Sequence, residues 1–133
     1  MKRRLAVVWG AVAALALSAP ALAHHSFAAE FDSDKPVTVK GVITSVRLEN
    51  PHSWFFLDVA GTDGKVEKWA FEASTPSSLI RSGFKPGTVK AGDEVTIKGY
   101  HARDAASNAG AARELQMADG RAFAIGPTVG PQR

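Results

Sequence analysis

Cysteine is absent from all 133 residues. No disulfide framework can therefore hold this fold, and a lipoprotein anchored through a cysteine is excluded. Stability has to come from a packed core or a ligand. A long apolar run is also missing. Leu5–Leu17 is apolar but falls short of the roughly 20 residues that a bilayer span needs. Charge of one sign is scarce once the start of the chain is set aside. The whole chain carries 16 Lys+Arg against 13 Asp+Glu, and Lys2, Arg3 and Arg4 supply the entire difference. The balanced remainder argues against a nucleic-acid binder, which needs a strong positive patch. No phosphate loop, nucleophile elbow, dinucleotide fingerprint or HExxH motif occurs.

What is present at the start reads as a targeting segment, with a retained membrane anchor as the alternative. Lys2-Arg3-Arg4, the apolar run and the small-residue site Ala21-Leu22-Ala23 follow the order of a secretory signal peptide. Residues 1–23 are thus expected to be removed. The mature chain would begin His24-His25-Ser26-Phe27 in the periplasm, with no stable membrane insertion after cleavage. About 110 residues then remain, enough for one small domain and not for two.

The mature sequence divides into an arm over 24–36, a β domain over 37–125 and a Gly/Pro-rich tail over 126–133 that is expected to be disordered. In the arm, Phe27 and Phe31 stand four apart, the spacing of one helical face. Asp32–Pro36 reads as a turn. Val37–Leu48 reads as a first strand, with Val42, Thr44, Val46 and Leu48 on one parity and a bulge or bend at Gly41. Asn50-Pro51 turns into a second strand, Trp54–Val59. Asp63-Gly64 is a hairpin signal before a third strand, Val66–Phe71. Ser74 or Thr75 as cap, Pro76 at the first helical position and Gly83 just past the end predict a short helix. Val95–Tyr100 is the fourth strand, Ala102–Ala111 a loop, Leu115–Met117 the fifth strand, and Arg121–Ile125 a short edge strand. This is the order of an all-β, five- to six-stranded OB-like barrel with one short helix between strands three and four. An open antiparallel sheet capped by a helix is the alternative.

Two sets of residues are candidates for a site. Phe55, Leu57 and Val59 share the inward parity of strand two, as do Val95 and Ile97 on strand four. Trp54, Phe56, Tyr100 and Lys68 are left to form an outer patch, of the kind on which OB barrels stack bases or sugars. A covering by Phe27, Phe31 or the helix is the plainer account of the same residues. The second set is His24, His25, His52 and His101. The freed α-amine with His24 or His25 would chelate a nitrogen-seeking metal, Cu(II) first. His52 and His101 would lie in loops flanking one binding face. Against this, His52 can hydrogen-bond its own turn and His101 can be a rim residue. Catalysis has little to stand on. Glu72, Asp58 and Glu67 have no evident partners, and Arg103-Asp104 reads as a solvated loop. The expected function is a binding module for a small ligand or periplasmic protein, not an enzyme. A copper-binding protein is the alternative.

Three segments carry a resemblance. They are Ala23-His24-His25-Ser26-Phe27, Asn50-Pro51-His52 before the aromatic strand, and Lys90-Ala91-Gly92-Asp93-Glu94-Val95 with Gly99-Tyr100. Together they resemble a family of small exported proteobacterial proteins known as a domain of unknown function. The resemblance implies export and a small β domain, implies no activity, and directs attention to His24, His25 and His52.

Overall fold

The computed structural model describes residues 27–127. His24, His25, Ser26 and the expected cleavage site lie outside that range. The elements are α1 (Phe27–Glu30), β1 (Phe31–Arg47), β2 (Ser53–Ala60), β3 (Val66–Ala73), α2 (Pro76–Arg81), β4 (Glu94–Ala102), β5 (Ala109–Met117) and β6 (Ala122–Ala124). The strands form one sheet in the order β3-β2-β1-β4-β5-β6. A parallel pairing of β3 with β5 through Ala70–Glu72 joins the first strand of that order to the fifth, so the pairings run in a ring. The fold is all-β with the expected short helix α2 between β3 and β4, and a four-residue helix, α1, precedes β1.

β1 serves two partners. Its Pro36–Val42 stretch pairs with β4, and Val42–Arg47 pairs with β2. Gly41 sits at the hand-over. A Cβ there would lie 2.6 Å from the carbonyl oxygen of Asp58 and 2.9 Å from Val59 Cγ2, so only glycine lets the strands approach this closely. The bulge itself falls later than expected, between Ile43 and Ser45. It reverses the parity of the strand. Val39 and Ile43 face the core before it and Val46 and Leu48 pack there after it, while Val42 is exposed. The single parity read from Val42 to Leu48 is therefore corrected.

Two boundaries also move. β1 starts at Phe31, six residues before Val37. Phe31 pairs with Ala102 and Pro36 with Tyr100, so β1 takes five steps where β4 takes two. The excess is the Asp32–Pro36 turn, held by Asp34 N–H donating to Asp32 Oδ1 at 3.0 Å. At the other end β5 starts at Ala109, within the stretch expected to be loop. Of the expected tail only Gly126 and Pro127 are among the described residues, and 128–133 lie outside them. Gly126 N–H donates to the Arg113 carbonyl at 3.2 Å, and Arg113 Nη1 donates to the Pro127 carbonyl at 2.9 Å.

α2 forms for the local reasons its sequence contains. Thr75 is the N-cap, with Oγ1 accepting from Ser78 N–H at 3.3 Å, and Pro76 opens the first turn. At the far end Gly83 has φ +92°. Its N–H donates to the Ile80 carbonyl and that of Phe84 donates to the Leu79 carbonyl, a Schellman closure. The closure turns Phe84 inward, where it is buried together with Leu79. Thr75→Ala is expected to cost about 1 kcal/mol in urea unfolding. A cost near zero would mean the cap is replaced by water.

Candidate functional site

The period-2 register of β2 against β3 aligns Trp54 with Glu72, Phe56 with Ala70 and Asp58 with Lys68 on the outer face. Their inward neighbours Phe55 and Leu57 are buried, which is the parity expected from the sequence. His52 precedes Trp54 by two residues. Its Nδ1 stands 3.2 Å from Glu72 Oε1. The β1–β2 turn, with a cis Asn50–Pro51 bond, thus brings an imidazole to the end of β3.

α1 folds over the same end of the sheet. The Phe27 and Phe31 rings are 5.4 Å apart, and Phe27 meets Tyr100 edge-on at 6.0 Å. Arg103, read from sequence as solvated, clamps α1 through backbone atoms. Its N–H donates to the Glu30 carbonyl at 2.9 Å and its Nε donates to the Ala28 carbonyl. Between α1, the β1–β2 turn and the end of β3 lies a cleft of about 620 Å³. Phe27, Phe31 and Trp54 provide aromatic wall, and Glu30, Glu49, His52 and Glu72 provide polar groups.

Glu72 is the most enclosed acid of the group, with its side chain 16% exposed. Burial pushes its carboxyl above the ordinary value of 4.5, the facing His52 pulls it down, and the like charge of Glu30 pushes it up again. The imidazole contact is outweighed by desolvation. A raised carboxyl means that the folded state holds the proton more tightly than the unfolded chain. Stability from this group is therefore fullest in acid and falls as pH rises from 4.5 through the folded-state pKa. Glu72→Gln removes that slope. Its melting temperature is expected to gain on the natural protein between pH 4 and pH 7, and parallel pH profiles would contradict this account.

The sequence-predicted patch is divided. Trp54 and Phe56 stack at 6.4 Å, with Arg47 over Phe56 at 5.1 Å. Lys68 pairs with Asp58 at 3.3 Å beside a smaller hollow of about 200 Å³ that Phe56 also lines. Tyr100 lies under Phe27 and Arg113 instead. The histidines are likewise divided. His101 packs edge-on against Trp69 at 5.6 Å, with Nδ1 2.7 Å from the Ala102 carbonyl oxygen, and it does not line the cleft. His24 and His25 lie outside the described residues. Among the described residues no group of three or more His, Cys, Asp or Glu is arranged to hold a metal ion.

Sequence reasoning missed the acidic side of the cleft. Glu72 was without an evident partner because its partner, His52, is set by strand register and a turn rather than by spacing. Asp58 and Glu67 have partners as well, Lys68 and the Trp69 indole N–H, the latter at 3.4 Å. The Asp63-Gly64 signal does not supply that register, because a two-residue loop there would set Trp54 opposite Ala73, whereas the observed pairing of Trp54 with Glu72 is centred on Asp63.

Among the described residues no helix is long and apolar enough to cross a membrane. No curated protein and no solved structure matches the chain. The model of DUF6152, a family of unknown function, matches residues 11–112, so it covers α1, the β1–β2 turn and the end of β3 that frame the cleft, and the chain belongs to that family.

Proposed function

We propose that the protein is an exported, periplasmic binding module on an OB-like barrel, without catalysis, and that its ligand site is the cleft under α1. The barrel reading is supported by the long β1 shared between two partners, by α2 between β3 and β4, and by the parallel β3–β5 pairing. Export is supported by the basic start, apolar run and Ala21-Leu22-Ala23. The observation that carries the site is the cleft itself. Its volume of about 620 Å³ falls within the size of ligand pockets, and its aromatic walls surround a few convergent polar groups. Among the described residues that line it, none is a Ser, Thr, Cys or Lys that would act as a nucleophile beside His52.

The test uses the processed protein from the periplasm. Intact mass should give a chain starting at His24. Full-length material in the inner membrane would overturn export. That chain keeps two tryptophans, Trp54 and Trp69. Small aromatic fragments should shift the indole N–H resonance of Trp54 and leave that of Trp69. A response of neither, or of both alike, would remove the cleft as the ligand site.

A copper reading of the same cleft is favoured by one observation. Phe27 lines it together with His52. His24 precedes Phe27 by three residues in the sequence. The freed amine with His24 or His25 would then join His52, and Glu72 would orient the imidazole; His101 would take no part. Calorimetry with Cu(II) should give weaker binding for a chain that retains Met before His24, and weaker binding for His52→Ala. Equal affinity of the native and Met-extended chains would dismiss this reading and leave the cleft as a site for organic ligands.

A further inference from the structure

We infer that the cleft under α1 receives an organic cation, an amine or guanidinium group carried on a flat apolar body; this rests on the reading of the cleft as the ligand site. Among the described residues Glu30, Glu49 and Glu72 line it and no Lys or Arg does. That balance differs from the rest of the strand surface. There Lys40 meets Glu94 at 2.9 Å, Lys98 meets Glu114 at 3.2 Å and Lys68 meets Asp58 at 3.3 Å. Glu94, Glu114 and Asp58 are thus each matched by a lysine. In the cleft, Glu72 is matched by a histidine, which is a cation only when protonated, and Glu49 is in no ion pair among the described residues.

Glu49 and Glu72 repel an anion, so phosphates, nucleotides and carboxylic acids are poor occupants. A cation gains twice. The carboxylates attract it, and the faces of Trp54, Phe27 and Phe31 stabilise a positive charge held within about 6 Å of a ring. The same rings bury the flat body that carries it. A neutral sugar or phenol would use the rings and leave Glu49 uncompensated.

Three probes of one shape separate these terms: tyramine, 4-ethylphenol and 3-(4-hydroxyphenyl)propionate, cationic, neutral and anionic at pH 7. Each is titrated against the processed full chain and read at the Trp54 indole resonance. Tyramine should bind about tenfold more tightly than 4-ethylphenol, and the acid should be weaker still. Glu49→Gln leaves the core untouched, because Glu49 is exposed. It should weaken tyramine by about threefold to tenfold and leave 4-ethylphenol unchanged, whereas Trp54→Ala should weaken both. Raising the salt concentration should erode only the tyramine preference. If 4-ethylphenol binds as tightly as tyramine, the cation inference fails while the binding site survives. If none of the three moves Trp54, the cleft is not a ligand site and both fall.

Discussion

Phe55→Ala is expected to cost about 3–5 kcal/mol, the range for removing a large aromatic from a close-packed core. Phe55 is 0% exposed. It lies between Val46 on β1 and Phe71 on β3 in the strand register, so three strands converge on it. Its ring meets Phe84 edge-on at 5.5 Å, and Phe84 meets Phe123 at 5.7 Å. The truncation therefore opens a void under the strands and also frees the ring that the α2 closure delivers. Small domains have about 5–15 kcal/mol of stability in total. With no cysteine in the chain, no disulfide limits the unfolded state. Urea unfolding at two temperatures measures the loss. A change below about 1 kcal/mol would mean that the site collapses around alanine or that the ring does not fill the core as described.

Gly99→Ala is expected to be the next most costly change, about 3 kcal/mol, at the upper end of overpacking penalties. A Cβ on Gly99 would overlap the Ala111 carbonyl oxygen and stand 3.1 Å from Ala112 Cα. Both obstacles are backbone of β5, so no side chain can rotate away. The clash falls at the irregularity between Lys98 and Gly99 in the β4–β5 pairing, where β5 crosses close over β4. Gly64→Ala is the control. Gly64 has φ +78° and a Cβ there meets nothing within 4 Å, so only the backbone cost of about 1 kcal/mol applies. Equal losses for the two variants in thermal unfolding would sink the steric account of Gly99.

The outcome at particular residues separates local from distant causes. Alternation assigned Phe55 and Leu57 to the core and Trp54 and Phe56 to the outer face, because the side-chain period of a strand is a property of the backbone alone. Thr75, Pro76 and Gly83 marked the ends of α2, because a cap satisfies orphan groups within a few residues of itself. The sequence by itself therefore determined the order of the strands, the helix α2, the all-β class and the outward place of Trp54. Tertiary structure alone decided the rest. Ala109–Ala111 looks like a loop, yet it is strand. Its small residues are required because a Cβ on Gly110 would meet the Tyr100 carbonyl oxygen at 2.6 Å and the Phe71 ring at 2.8 Å. The bulge after Ile43 reversed the parity of β1, and no residue type announces it. The cleft joins Glu30, His52 and Glu72, which meet only when α1, the β1–β2 turn and β3 are brought to one end of the sheet. Periodicity and capping are written into neighbouring residues, whereas ring closure and a shared cleft depend on contacts between residues distant in the chain. Such contacts select residues for size and charge at one point in space, and that selection leaves no repeating pattern along the sequence.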